Sequence, residues 1–262
     1  MTDLDIGQLR DRTPESRSRA PLPSTARVEG GPGRILAVEA VSQWLRILRV
    51  GRPPGLAFRA GQYVRIGADG GARASATRKF SIASAPHEPF LDFCIELHQG
   101  GAVSPRLFAL TPGARLSVAT HAKGGFELDE SAKTHVFVAT GAGIAPLRSM
   151  LRDALHRGIG DRLIVAHGAS FAGALPWRDE LCALDAADAR VMYLPTVSRP
   201  DEPVNAAWTG RTGRVDAVAR ELAGTIPHSR THVYACGHPG MVTGVVRSLR
   251  DRGFAVSSET FS

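Results

Sequence analysis

The stretch that decides the fold is His135-Val136-Phe137-Val138-Ala139 running into Thr140-Gly141-Ala142-Gly143-Ile144-Ala145-Pro146. A short apolar run predicts a buried strand, the glycines predict a tight turn, and the pattern over Pro146–Arg157 predicts a helix. A helix entered directly from a strand presents unpaired backbone N–H groups at its start, which suits a pyrophosphate. The turn departs from the usual dinucleotide fingerprint, because proline stands where the third glycine would be. Proline at a first helical position is structurally sensible. An ordinary strand-to-helix turn in any α/β protein would read the same way.

Downstream, Arg162–Ala166, Arg190–Leu194 and His232–Ala235 repeat the strand signal. They alternate with helical patterns over Pro176–Leu184, Arg214–Leu222 and Pro239–Arg252. That alternation predicts an α/β, Rossmann-like domain with a parallel sheet covered on both faces. Upstream the rhythm differs. Strands are expected at Ile35–Val41, Leu45–Val50, Gln62–Gly67, Arg78–Ser84, Leu91–Leu97 and Arg115–Thr120, separated by Gly/Pro turns, with one helical stretch near Val103–Leu110. Six short strands in about a hundred residues predict a small antiparallel β-barrel. The expected organisation is a flexible arm over 1–26, a barrel domain over 27–130 and the α/β domain over 131–262, with the connection near Asp129–Lys133.

The chain has 262 residues and a net charge of +7. The excess is spread out, at zero over 1–30, +4 over 31–130 and +3 over 131–262, so nothing reads as a nucleic-acid arm. A diffuse positive field suits a small acidic partner or an anionic cofactor, and a merely solvated basic surface would look alike. The three cysteines, Cys94, Cys182 and Cys236, are far apart and cannot supply the four thiolates of an iron–sulfur cluster. They argue against a disulfide framework and for a reducing cytoplasm. No metal site is expected. No apolar run opens the chain, and none approaches the roughly 18 residues of a membrane span, so a soluble protein is expected.

Other strings carry candidate chemistry. In Arg78-Lys79-Phe80-Ser81, residues two apart share a strand face. Arg78 could clamp a phosphate while Phe80 stacks on a planar heterocycle, and Ser81 could reach a ring nitrogen. Gly100-Gly101-Ala102-Val103-Ser104 opens a helix, where free amides and the Ser104 hydroxyl would face an anion; an ordinary helix cap is the competing reading. Val197-Ser198-Arg199 closes a strand at the edge where open parallel sheets bind ligands. Arg199 and Arg214 could clasp a phosphate there, or be surface arginines. Tyr234-Ala235-Cys236-Gly237 ends the last of the expected strands, and its small thiol and glycine allow a ring to approach closely.

Taken in order, these strings resemble the ferredoxin–NADP(H) reductase superfamily, and within it the bacterial ferredoxin/flavodoxin–NADP(H) reductases. Gly61-Gln62-Tyr63-Val64, Ser104-Pro105-Arg106-Leu107 and Gly124-Gly125-Phe126-Glu127-Leu128 add to the likeness, which spans about 30–262. The resemblance implies that Arg78 binds the FAD pyrophosphate, Phe80 stacks on the isoalloxazine and Ser81 hydrogen-bonds its reactive ring nitrogen. Gly101, Ala102 and Ser104 would hold the FAD pyrophosphate. Thr140, Gly141 and Gly143 would face the pyrophosphate of NADPH. Cys236 and Gly237 would position the nicotinamide, with Glu259 near the reacting atoms, and Ser198, Arg199 and Arg214 would hold the 2′-phosphate. Ser81, Cys236 and Glu259 are thus the expected catalytic group.

Three departures stand out. Phe80 replaces the family's tyrosine. His167-Gly168-Ala169-Ser170 lacks an arginine that NADP-preferring members often carry there, which leaves NADH possible. Phe261 is penultimate rather than terminal, and could cover the second flavin face. The implied activity is hydride transfer between NADPH and FAD and single-electron transfer to an acidic ferredoxin or flavodoxin by a cytoplasmic monomer. An NADH-dependent reductase component of an oxygenase system is the alternative.

Overall fold

The computed structural model describes residues 33–68 and 76–261; the arm expected over 1–26 lies outside the described residues. The chain divides into two compact units, one formed by 33–128 with 145–156, the other by 129–144 with 157–261.

The first unit holds β1 (Ile35–Ala40), β2 (Leu45–Gly51), β3 (Tyr63–Ala68), β4 (Arg78–Ser81), β5 (Phe90–Glu96), the short helix α1 (Ser104–Phe108) and β6 (Leu116–Val118). The strands form two antiparallel three-stranded sheets, β1-β2-β5 and β4-β3-β6. Their facing sides bury Ile35, Leu48, Val50, Val64, Ile66, Ile82, Leu91, Phe93 and Ile95 in one core, which is why the strands are rich in β-branched and aromatic residues. The expected barrel is open. The sheets meet at one margin through the isolated bridge between Arg34 and Arg115, and at the other through the Ala83 amide bonded to the Asp92 carbonyl at 2.8 Å.

Asp92 ties this unit together. Its carboxylate is wholly buried and accepts two bonds from Arg49, Nε at 2.8 Å and a terminal nitrogen at 2.9 Å. Arg49 also lies over the Phe90 ring, 3.8 Å from its centroid. On the other side stands Arg148, 3.4 Å from the carboxylate and 2.7 Å from the Ala83 carbonyl. Arg148 belongs to α2 (Ile144–Arg157), whose residues 145–156 are part of this unit. The neighbouring Ser149 hydroxyl donates to the Ser84 carbonyl at 2.6 Å. One turn later Arg152 reaches Glu88 at 2.7 Å, and Glu88 in turn accepts from the Ala85 amide. The segment just after Ser81 is therefore held by side chains of one helix face.

The second unit is a six-stranded, all-parallel sheet ordered β10-β9-β8-β7-β11-β12. Its strands are β7 (Thr134–Thr140), β8 (Arg162–Ala169), β9 (Val191–Val197), β10 (Arg211–Thr212), β11 (Thr231–Gly237) and β12 (Ala255–Thr260). On one face α4 (Val215–Leu222) and α5 (Pro239–Arg250) cover Val136, Val138, Ile164, Leu194, Val233 and Ala235. The alternate residues, among them Phe137, Val165, His167, Tyr193 and Tyr234, are buried on the opposite face. The helix α3 (Arg178–Ala187) packs against β9.

Several details differ from expectation. Pro146 is the third residue of α2, because Gly141–Gly143 forms a 3-10 turn and the helix starts at Ile144. Proline is tolerated there since first-turn amides lack intrahelical acceptors. α3 starts at Arg178 rather than Pro176, since Trp177 takes a left-handed conformation at φ 55°. β9 continues through Pro195, and β10 covers only Thr196 and Val197, so the missing amide lies where that side of the strand is unpaired. β10 and β12 were not expected: the first has two residues, and the second is an edge strand in which only Val256 is buried.

Asp92→Asn is expected to destabilise the protein by about 3 kcal/mol or more, because two buried guanidinium groups lose their counter-charge. Urea unfolding checks this; a change under about 1 kcal/mol would mean that the triad is not a structural brace.

Candidate functional site

In the parallel sheet, β7 is flanked by β8 on one side and β11 on the other, so chain connections leave in opposite directions at that point. Open parallel sheets form a crevice at such a switch, beyond the carboxyl ends of the strands. Those ends are Thr140-Gly141-Ala142-Gly143 after β7 and Cys236-Gly237 at the end of β11. The structure thus brings together two strings that are remote in sequence. The His238 amide donates to the Thr140 hydroxyl at 2.8 Å across a separation of 98 residues. A Cβ on Gly143 would fall 2.3 Å from the Cys236 carbonyl oxygen, so no larger residue fits. Gly143 is therefore required by the approach of the turn to β11. At Gly141, φ is +51° and a Cβ would meet nothing within 4 Å, which leaves the outer side of the turn open to a ligand.

Cys236 is fully buried, and burial, then the charge of Glu259, push its thiol well above the usual range. It stays protonated and acts as a small apolar wall rather than a nucleophile. Glu259 stands opposite Cys236 in the β11–β12 register and is half-buried. The Phe261 amide donates to the Gly237 carbonyl at 3.2 Å, holding the exposed Phe261 beside the same strand end.

Ser198 and Arg199 lie just past β9 and are exposed. The Arg199 guanidinium sits over the Phe171 ring, 5.7 Å from its centroid. Arg214 precedes α4, follows a Gly213 amide bonded to the Val197 carbonyl at 2.8 Å, and is paired with Asp216 at 3.1 Å. Both cations are thus near the end of β9.

A residue that sequence reading missed braces this edge. Asn205 is 2% exposed and spends its amide on three backbone groups. It donates to the Arg199 carbonyl at 2.7 Å and the Ser170 carbonyl at 3.0 Å, and accepts from the Ala172 amide at 2.9 Å. It ties the loop after β8 to the loop after β9. No pattern around Pro203-Val204-Asn205 announces it. His167, noted in the sequence only where an arginine was missing, is also buried and reaches the Gly141 carbonyl at 3.1 Å. Its signal was available: a histidine inside an apolar strand, Val165-Ala166-His167.

In the first unit, β4 exposes Arg78, half-buries Phe80 against the core and buries Ser81. The Arg78 guanidinium has no hydrogen-bond or ion-pair partner among the described residues, which leaves its fork available to an anion. The Ser81 strand end is fixed by its pairing with Tyr63 and by the Ile82 amide bonded to the Gln62 carbonyl at 3.0 Å. Near α1, the Gly101 amide donates to the His98 carbonyl at 2.9 Å. The Ser104 hydroxyl accepts from the His98 amide at 3.0 Å, and Ala102 is exposed between them.

Arg78 and Phe80 on one face fit a phosphate and a planar ring, and the open Gly141 cradle fits a second phosphate group. No group of histidine, cysteine or carboxylate side chains among the described residues could hold a metal ion. No helix among them is long and apolar enough to cross a membrane.

Known proteins resemble the chain over most of its length. Residues 137–247 match the family model described as the oxidoreductase NAD-binding domain. Ferredoxin–NADP reductase B of Sorangium cellulosum is 40% identical over 227 residues, covering 82% of this chain and 89% of that protein. The flavodoxin/ferredoxin–NADP reductase of Escherichia coli is 32% identical over 220 residues, covering 80% and 86%. The reductase component DmpP of a Pseudomonas phenol 2-monooxygenase is 27% identical, and the match covers 85% of this chain but 62% of that protein. The fold superposes on a ferredoxin NADP+ reductase from Neisseria gonorrhoeae with a TM-score of 0.76 at 24% identity, covering 87% of this chain and 96% of that one. The chain belongs to the ferredoxin–NADP reductase family and is an oxidoreductase.

Proposed function

We propose that this chain is a ferredoxin– or flavodoxin–NADP reductase with FAD as its bound cofactor, and that NADPH is its nicotinamide substrate. When bound, FAD exchanges a hydride with NADPH and single electrons with a small acidic ferredoxin or flavodoxin. The observation that carries this reading is near-full-length likeness to reductases of that name, at 40% identity over 89% of the Sorangium protein. The open barrel within 27–130 is the FAD-binding part in this reading, and 131–262 the NADPH-binding part.

The residues have these tasks. Arg78 pairs with the FAD pyrophosphate, and Phe80 lies against the isoalloxazine. Ser81, fixed at the end of its strand, donates a hydrogen bond to the flavin ring. Gly101, Ala102 and Ser104 shape the loop beside the FAD phosphates. The amides of the Thr140–Gly143 turn receive the NADPH pyrophosphate, and Cys236-Gly237 leave room for the nicotinamide. Glu259 supplies charge near the reacting ring, Phe261 covers an exposed ring face, and Ser198, Arg199 and Arg214 receive the 2′-phosphate. The protein's contribution is orientation and electrostatics, so no acid–base triad is invoked.

A second reading, an NADH-dependent reductase component of an oxygenase system, is favoured by Ser170 at the position where an arginine would strengthen 2′-phosphate binding. The match to DmpP supports it too, although it covers only 62% of that protein.

Purified protein reconstituted with FAD is expected to retain a flavin spectrum after desalting and to reduce ferricyanide with NADPH; failure of both would remove the proposal. Arg199→Ala is expected to lower the ratio of kcat/KM for NADPH over NADH by roughly tenfold, the value of one charge-assisted contact. A wild-type ratio below one, unchanged in Arg199→Ala, would favour the NADH-dependent reading.

A further inference from the structure

Among the described residues, His167 is the one buried histidine seen to touch the glycine turn. It lies on β8, is fully buried, and sits between two groups of the same unit. Its Nε2 is 3.1 Å from the Gly141 carbonyl oxygen, and its Nδ1 is 3.2 Å from the Tyr193 hydroxyl. A carbonyl oxygen can only accept, so Nε2 carries the proton in this contact. Burial pushes the imidazole down to about 4, so at neutral pH it is uncharged and Nδ1 is a bare acceptor. The Tyr193 phenol, raised well above its usual range by burial, keeps its proton and donates it to Nδ1. The order of donors is therefore fixed: Tyr193 hydroxyl to His167, and His167 to Gly141.

The geometry of the peptide bond gives that order a consequence. In a planar trans peptide the carbonyl and the following N–H point in opposite directions. Drawing the Gly141 carbonyl toward His167 aims the Ala142 N–H away from it. In a 3-10 turn the leading amides, here those of Gly141 and Ala142, have no acceptor inside the turn. The Gly141 carbonyl also accepts from the Ile144 amide that closes the turn, but Gly141 has no Cβ and open space beside it, so His167 is the one side chain seen to hold this peptide. We propose that His167, oriented by Tyr193, is a positioning residue of the dinucleotide turn, acting with the Ile144 amide on the Gly141 carbonyl to preset the Ala142 amide toward the pyrophosphate of the nicotinamide coenzyme. This rests on the reading of the Thr140–Gly143 turn as that coenzyme's pyrophosphate site.

Preorganisation of this kind raises affinity by removing an ordering cost at binding. Its loss should weaken ligands that carry the pyrophosphate and spare those that lack it. The test compares wild type, His167→Phe, His167→Gln and Tyr193→Phe for binding of NADP+ and of adenosine 2′-phosphate, alongside steady-state kinetics with NADPH. His167→Phe is expected to weaken NADP+ about tenfold, the worth of one buried hydrogen bond, with Tyr193→Phe weaker in effect and His167→Gln partly restored. The kinetic change should fall on KM more than on kcat, and adenosine 2′-phosphate affinity should stay within about twofold. Equal weakening of both ligands would mean a structural role only, and unchanged NADP+ binding would overturn the proposal outright. Nitrogen-15 NMR of wild-type imidazole adds a readout that needs no variant: the neutral Nε2–H form is expected, and the Nδ1–H form would overturn it. If wild type bound neither NADP+ nor NAD+, the reading of the turn itself would fall, together with this inference. Dinucleotide binding that is unaltered in the variants would sink the inference alone.

Discussion

A fully buried carboxylate needs partners, and in the first unit the response to Asp92 organises the residues around it. Arg49 answers it from β2, Arg148 from α2, and the backbone of Asp92 itself bonds to Ala83 and to the Ser84 hydroxyl. The stretch Ala83–Glu88 is held on several sides, and it is the continuation of the strand that bears Arg78, Phe80 and Ser81. A strand of four residues has little ladder of its own, so its placement leans on this brace, which in the proposed function steadies the flavin contacts.

The second unit solves a similar problem by topology. Reversal of the strand connections at β7 leaves a crevice, and close approach of Gly143 to Cys236 and of Thr140 to His238 closes its floor. Polar groups on the buried sheet face, His167 with Tyr193, reach the turn from below and join the Ile144 amide on the Gly141 carbonyl. At the outer edge Asn205 fixes the backbone of the two loops that carry Ser170 and Arg199, the residues on which the proposed function places coenzyme choice.

Much of this was legible in the sequence where the cause is local. The run His135–Ala139 and the glycines after it predict strand and turn because apolar residues and φ-tolerant residues act within a few positions of themselves. Even there, the start of α2 shifts, since nothing local distinguishes a 3-10 turn from the first helical turn. β12 was invisible because an edge strand exposes alternate residues and buries only Val256. The Asp92 brace was illegible for another reason: its arginines are 43 and 56 residues away, and a buried ion pair leaves no periodic trace. The same holds for residues 145–156, which belong with the first unit although sequence rhythm assigns them to the second. Asn205 shares that limitation, as a polar residue whose role lies in backbone groups brought near it by the fold; His167 stands out as a histidine inside an apolar strand, but its Gly141 partner does not show in the sequence.

In the proposed function one chain converts a two-electron donor into single electrons through a flavin held by β4 and a dinucleotide held at the β7–β11 crevice. The most direct test is an anaerobic titration of the FAD-loaded protein with NADPH, followed by addition of oxidised ferredoxin or flavodoxin. Bleaching of the flavin at one NADPH per FAD and one-electron reduction of two carrier molecules per NADPH consumed are expected. A flavin that NADPH and NADH both leave oxidised, or a reduced flavin that passes no single electrons to any such carrier, would contradict it.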